Sequence, residues 1–387
     1  MNEVLIVGAS VRAAAFSALR AELQPSGADL FGDADLLNRC PSVRLSAQEY
    51  PANLVCWLQS APHGPWLYTG ALENRPAVVQ RLARLRMLWG NSGPVLRRCR
   101  DPFALEKCLR GQGLPCPRCL VNGSSPLQHG RWLVKPLHGA GGRDIRLLSA
   151  DPSASANANM YLQEFIEGDP CAAVYIGDGN GAALLGVTRQ LIGEPWLNAP
   201  AFHYCGSVGP LSMNAVTRTA FERLGKVLVD SFHLRGLFGV DCVLQDEVPY
   251  PVEVNPRYTA SVEVLEYATG IAALALHRDA FEGRPLPSAG LQEEQALPKP
   301  SSRFVAKAIL FAREPVVFPD SGPWLGALDA GVSVHELPAF ADIPHAGERI
   351  GPRQPILTCL VRADSVDGCV DQLRQTAQDL DRWLTHR

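Results

Sequence analysis

The spacing of apolar positions changes several times along the chain, and each change marks an element. Val4-Leu5-Ile6-Val7 is a wholly apolar run, as expected of a strand buried on both faces. It stops at Gly8-Ala9-Ser10, and over residues 12–23 Ala14, Ala15, Ala18, Leu19 and Leu23 recur near helical spacing. Strand, glycine turn and helix open an α/β unit. Helices are also predicted over residues 75–88 and 102–109, the second entered through Asp101-Pro102, a capping acid with proline at the first helical position. From Trp132 the pattern becomes one of strands between glycine turns: residues 132–135, 145–148, 160–165, 172–176 and 183–188. A helix over 214–232, strands over 238–244 and 250–254, and a helix over 261–268 follow. Residues 285–300 are proline-rich and polar and read as a linker. The tail carries β-like runs at 304–311 and 356–361 and a helix over 365–384.

With 387 residues, 47% of them hydrophobic and 19% charged, the chain can bury two or three cores. Its formal net charge of −3, without a lysine-rich tract, argues against a nucleic-acid or membrane surface and for a small-molecule partner. The run at residues 4–7 is too short for a signal peptide or a membrane span, and eleven scattered cysteines fit a reducing compartment, so a cytoplasmic location is expected. Cys116 and Cys119 form a CxxC, but no second ligand pair at zinc spacing accompanies it, and Pro115 and Pro117 interrupt the segment. The Asp29, Asp33 and Asp35 group after the first helix invites a dinucleotide reading. The turn is Gly-Ala-Ser-Val-Arg, however, and lacks the second and third glycines that let a pyrophosphate approach the backbone.

Three constellations carry chemistry. Lys135-Pro136-Leu137-His138-Gly139-Ala140-Gly141-Gly142 places a lysine at a strand end before three glycines, a loop whose bare N–H groups suit phosphates. It is not a Walker loop, since no Gly-Lys-Ser/Thr closes it. Gln163-Glu164-Phe165-Ile166-Glu167-Gly168-Asp169 runs from strand to turn, where Phe165 and Ile166 can flank a planar base and an acid can meet ribose hydroxyls. Asp241, and twelve residues later Glu253-Val254-Asn255-Pro256-Arg257, supply two carboxylates and an amide oxygen. Alternation puts Glu253 and Asn255 on one strand face, and hard oxygen ligands of this kind match Mg²⁺ bridging nucleotide phosphates. Arg257 would meet the same phosphates.

The order of these motifs resembles the ATP-grasp superfamily over roughly residues 94–283. The run Asn-Pro-Arg-Tyr-Thr-Ala-Ser-Val-Glu, ending at Glu263, is similar to the branch of predicted ATP-dependent carboxylate-amine ligases related to biotin carboxylase. The resemblance implies an ATP-grasp fold at residues 94–288, a preceding Rossmann-like α/β domain at 1–93 and a small C-terminal β-rich domain at 301–387. It implies ATP and Mg²⁺ as cofactors, with Mn²⁺ as an admissible substitute. Lys135 would contact phosphates, helped by the loop glycines Gly139, Gly141 and Gly142. Glu164, Phe165 and Ile166 would line the adenine pocket. Asp241, Glu253 and Asn255 would hold the metal, and Arg257 would stabilise the transferring phosphoryl group. Two departures stand out: Asp101-Pro102 occupies the place where many members carry a nucleotide-binding lysine, leaving Arg100 or Lys107 to substitute, and the ribose acid falls at Asp169, one position early.

The reaction so implied passes the γ-phosphoryl group of ATP to a carboxylate, giving an acyl phosphate that an amine attacks. Small-molecule acid and amine are the expected substrates, a homodimer the admissible assembly, and amino-acid ligation in a methanofuran-like cofactor pathway the setting that the resemblance brings with it. Arg189 and His203, between the adenine and metal motifs, are the expected substrate contacts, with His203 offering an imidazole as base. Residues 202–206 read as an aromatic lid. The rivals are a biotin-type carboxylase and a non-catalytic ATP-binding module. No Glu-Arg-Asp-Cys-Ser segment is present, and Tyr258 to Glu263 replace the Gln-Val-Glu-His usual in carboxylases.

Overall fold

The computed structural model describes residues 2–124, 130–148, 158–287 and 304–385. The N-terminal part is a parallel four-stranded sheet in the order Ser42–Arg44, Gln24–Asp29, Glu3–Val7, Trp66–Tyr68. Val4 to Val7 have no exposed surface, as a strand covered on both faces requires. The first helix ends earlier than its pattern predicts, at Arg20. Glu22 adopts a left-handed conformation, φ 59°, and swings Leu23 out of the helix so that Gln24–Asp29 can pair beside Glu3–Val7. The sequence Gln-Pro-Ser-Gly-Ala-Asp has little strand preference of its own, and its parallel partner supplies it. The helix expected over 75–88 stops at Leu82. Residues 87–89 instead run along Trp66, whose N–H donates to the Met87 carbonyl at 2.9 Å while Trp89 N–H donates to the Trp66 carbonyl at 2.7 Å.

Two antiparallel sheets follow. The smaller has the order Cys119–Val121, Met160–Glu164, Trp132–Pro136, Arg146–Leu147. The larger has eight strands in the order Val248–Asn255, Arg235–Gln245, Asp169–Asp178, Ala182–Ile192, Tyr204–Gly209, Phe304–Phe311, Pro355–Ala363, Phe340–Ala341. Its apolar face packs on helix Ala215–Phe232 through Phe221, Leu224 and Leu228, a helix capped by Asn214, whose Oδ1 accepts from Thr217 N–H at 2.8 Å. The tail joins the same sheet: Gly206, Ser207 and Val208 pair with Ala308, Lys307 and Ala306. Leu373, Ala377 and Leu380 of the C-terminal helix Val366–Thr385 belong to the apolar cluster over the tail strands. Much of the predicted linker, from residue 288 on, lies outside the described residues. Among those described, no helix is long and apolar enough to cross a membrane.

A buried charge network ties the three sequence regions together. Arg12, fully buried in the first helix, donates to both carboxylate oxygens of Glu263 and to Asp342, with Nε to Oδ1 of Asp342 at 2.9 Å. Lys307 of the tail donates to Glu263 at 2.9 Å. Asp35 accepts from the backbone N–H groups of Asp342 and Ile343, both at 3.0 Å. Burial favours a protonated Glu263, but Arg12 and Lys307 outweigh it and hold the carboxyl well below the ordinary range.

His277 makes a second tie. Its Nδ1 accepts from Leu237 N–H at 2.9 Å, and Nε2 lies 3.0 Å from the Trp89 carbonyl, a pair that only the neutral ring with a proton on Nε2 satisfies. Burial lowers its pKa to about 4. A base with a depressed folded pKa takes up its proton more readily when unfolded, so this group's stabilising effect is whole above about pH 6.5 and is lost as pH falls through 4. The expected loss is about 3 kcal/mol. Urea unfolding of the wild type and His277→Phe across pH 7.5 to 4.5 checks this: the stability gap between them should narrow as pH falls, and a constant gap would refute it.

Candidate functional site

The site lies where the small sheet, the first two strands of the large sheet and the carboxyl edge of the parallel sheet converge. Asp241 and Glu253 are direct cross-strand partners on Arg235–Gln245 and Val248–Asn255, and Asn255 lies on the Glu253 face while Val254 points into the core. The Asn255 amide donates to Asp241 Oδ2 at 2.9 Å, and Gln190, from the strand Ala182–Ile192, donates to Oδ1 at 2.9 Å. Burial, then the charge of Glu253, push the Asp241 carboxyl up to about 6. Glu253 moves the other way: burial would raise it, but Arg100 and Lys135 hold it below its ordinary value.

Cations surround these acids. Arg100, at the end of the helix Gly93–Cys99, ion-pairs with Glu253 and donates to the Val254 carbonyl and to Asn255 Oδ1, both at 3.3 Å. Its other nitrogen reaches Asn74 Oδ1 at 2.8 Å and the Gly139 carbonyl at 3.1 Å. Lys135, buried on strand Trp132–Pro136, donates to Gln163 Oε1 at 2.9 Å, and burial lowers its pKa despite Glu253 and Asp241 nearby. Arg257 bonds Glu73 at 2.7 Å, the Tyr258 carbonyl at 3.0 Å and Asn255 Oδ1 at 3.4 Å. Two carboxylates and an amide oxygen held among three cations form a donor set that fits a hard divalent cation and its anionic ligand.

The glycine loop closes over this group. Gly142 has φ 79°, and a Cβ there would stand 1.9 Å from the Phe202 carbonyl oxygen, so backbone packs on backbone. Tyr204 N–H donates to the Gly141 carbonyl at 3.1 Å, and Asn74 to that of Gly139 at 2.9 Å. The cleft between Arg100, Lys135, Gly139, Tyr161 and Glu253 holds about 40 Å³ of free space. Small-ligand pockets run to roughly 300–1,000 Å³, so the cleft with the loop in this position is smaller than such pockets.

Lys135, the loop glycines Gly139, Gly141 and Gly142, Asp241, Glu253, Asn255 and Arg257 are thus brought to one place. The predicted base-binding stretch stands apart from the cleft lining. Glu164 accepts from Arg118 N–H at 3.1 Å, the Phe165 ring lies 4.2 Å under the Arg131 guanidinium, Ile166 is half-buried, and Asp169 is exposed at the start of a long strand. Arg189 sits mid-strand between Cys171 and Val208. His203 contacts the Ala201 carbonyl at 3.3 Å and packs edge-on to Phe311. Residues 204–209 are an interior strand rather than a lid. Of the two proposed substitutes for the missing lysine, Arg100 is the one in the cleft. Asn74 and Gln190 carried no local signal, because each is positioned by a partner distant in sequence, while Gln163 stood in the second motif without the role of holding Lys135. Cys116 and Cys119 are free thiols, and among the described residues no group of three or more His, Cys, Asp or Glu is placed to hold a metal.

Residues 99–261 match the family described as ATP-grasp domain. The chain is 24% identical over 284 residues to an uncharacterized protein of Methanocaldococcus jannaschii, a match covering 70% of this chain and 63% of that relative's length. Among solved structures it is similar to the L-amino acid ligase from Bacillus licheniformis, with a TM-score of 0.70 at 17% identity, covering 98% of this chain and 97% of that one. It is also similar to the biotin carboxylase domain of the Hydrogenobacter thermophilus 2-oxoglutarate carboxylase, crystallised as a dimer with MgADP and bicarbonate, with a TM-score of 0.72 at 13% identity, covering 97% and 89%. At such identities the two structures speak to fold alone, and that fold agrees with the family match. Residues 99–261 thus match an ATP-grasp domain, within a chain whose fold is similar to these two structures over nearly its whole length.

Proposed function

We propose that the protein is an Mg-ATP-dependent, ADP-forming ligase that joins a carboxylate to an amine through an acyl phosphate. The observation that carries this reading is the placement of Asp241, Glu253 and Asn255 against Lys135, Arg100 and Arg257 beneath a glycine loop. A nucleotide-binding module has less need of such a cluster than an enzyme that must neutralise charge on a phosphoryl group in transfer. Asp241, Glu253 and Asn255 are the residues that would hold Mg²⁺, or Mn²⁺ with the same oxygen ligands. Bound there, the cation neutralises phosphate charge. Lys135 and Arg100 orient the phosphates from the small-sheet side, the N–H groups of Gly139 to Gly142 cover them, and Arg257 meets the transferring group. The acid substrate then faces the carboxyl edge of the parallel sheet, the usual ligand side of such sheets. Glu164, Phe165, Ile166 and Asp169 remain candidates for the base and ribose, and Arg189 and His203 for the acceptor, once the loop is lifted. The eleven free cysteines support a reducing, cytoplasmic setting. Amino-acid ligation in cofactor assembly rests on the sequence resemblance alone.

Incubating the protein with Mg-ATP and pools of acids and amines, while following ADP and phosphate, tests this reading. ADP release should require an acid, and hydroxylamine should trap the acyl phosphate as a hydroxamate. AMP formation, or bicarbonate-dependent ADP release indifferent to other acids, would reject it.

A further inference from the structure

Glu73 lies beyond the motifs that the sequence offers. It follows strand Trp66–Tyr68 through Thr69 and Gly70, in a short 3₁₀ turn at the carboxyl edge of the parallel sheet. Its side chain is 1% exposed. Arg257 engages only Oε1, and Oε2 is buried with no hydrogen-bond partner. The Tyr50 hydroxyl, on the segment after strand Ser42–Arg44, is likewise buried and without a partner. Tyr50 packs on the apolar cluster that holds Tyr68 and Leu72, the residue before Glu73, and after burial Glu73 is the strongest influence raising its phenol. Unpaired buried polar atoms are costly and uncommon, and a carboxylate oxygen is the costliest kind. Arg257 is already committed to Glu73, Tyr258 and Asn255. Gly70 leaves the approach to its guanidinium open, since a Cβ there would stand 3.8 Å from Cζ.

A carboxylate oxygen and a phenol oxygen, both unmatched, call for a group with several N–H donors and a positive charge. We propose that Glu73 and Tyr50 form a subsite for a protonated amine, held next to the carboxylate that Arg257 helps to activate. This inference rests on the ligase reading. The substrate class is a small molecule carrying an ammonium group, either an amino acid whose own carboxylate is phosphorylated or the amine that later attacks. In both cases an ammonium N–H donates to Glu73 Oε2 while Tyr50 accepts a second.

The test uses the full chain with Mg-ATP and a panel of the common amino acids, their deaminated counterparts (propanoate for alanine, 3-phenylpropanoate for phenylalanine) and simple alkylamines. ADP release and thermal shift are both measured. The wild type should prefer ammonium-bearing members, and Glu73→Gln should raise their KM at least about thirtyfold while mant-ATP affinity stays within about threefold. Tyr50→Phe, which keeps the ring, should raise the same KM by roughly three- to tenfold, and it serves if Glu73→Gln fails to fold. If the ammonium belongs to the acid, the deaminated acids become poor substrates that Glu73→Gln does not affect further. If it belongs to the nucleophile, only the KM for the amine rises. Stabilisation by ammonium compounds that Glu73→Gln abolishes would support the subsite even where no ADP appears, an outcome that counts against the ligase reading alone. Equal response to aminated and deaminated compounds, or an unchanged KM in both variants, would overturn the subsite.

Discussion

Asp241→Asn and Glu253→Gln are each expected to lower ATP turnover at least about a hundredfold while leaving a folded protein that still binds the nucleotide. A hundredfold corresponds to roughly 2.7 kcal/mol of lost transition-state stabilisation, within the range for removing one charged partner from a phosphoryl-transfer site. The fold should survive because neither acid works alone. After Glu253→Gln, Arg100 keeps Asn74 and the carbonyls of Gly139 and Val254. After Asp241→Asn, Gln190 and Asn255 remain beside a neutral amide of the same shape. Single-turnover ADP formation, beside mant-ATP titration and thermal unfolding, separates the alternatives. A purely structural acid would alter the melting temperature and leave the turnover of the folded fraction intact. Wild-type turnover in a well-folded Glu253→Gln protein would remove this assignment and the ligase mechanism with it.

The second large effect concerns stability. Glu263→Gln removes one negative charge from between Arg12 and Lys307, both buried, and should cost about 3–5 kcal/mol, as expected when one partner of a buried ion pair is deleted. Arg12→Met should cost a comparable amount, because Glu263, Asp35 and Asp342 then face one another with Lys307 as their remaining nearby cation. The double variant should lose clearly less than the two single losses combined, since the groups act through each other. Urea unfolding of the four proteins closes the cycle. Strict additivity would show that the contacts contribute independently.

The legible parts of this molecule were those whose chemistry is local. Four consecutive apolar residues announced the first strand, the run Phe304–Phe311 was read to its ends, and alternation alone put Glu253 and Asn255 on one face. Parts that depend on distant partners were not legible. Gln24–Asp29 becomes a strand because Glu3–Val7 lies beside it. Phe165 resembles a base-stacking residue in sequence, yet Arg131 covers its ring. Arg100 reached notice only because a lysine was missing at the neighbouring position, whereas Asn74, Gln190 and Glu73 gave no local sign. Their positions depend on how the parallel sheet docks against the antiparallel one, and no short stretch of sequence encodes that docking.

The pairing of Tyr204–Gly209 with Phe304–Phe311 bears on how the chain can be divided. A chain ended at residue 287 would keep every residue of the cleft and still lose the neighbour of its fifth strand. Residues 204–209 would become a bare sheet edge with unpaired N–H and C=O groups, including a buried Cys205 and Val208, and such edges recruit other strands. Glu263 would lose Lys307 in the same cut. The shortened protein is therefore expected to self-associate edge to edge, an outcome that the tail strand prevents by pairing with residues 204–209.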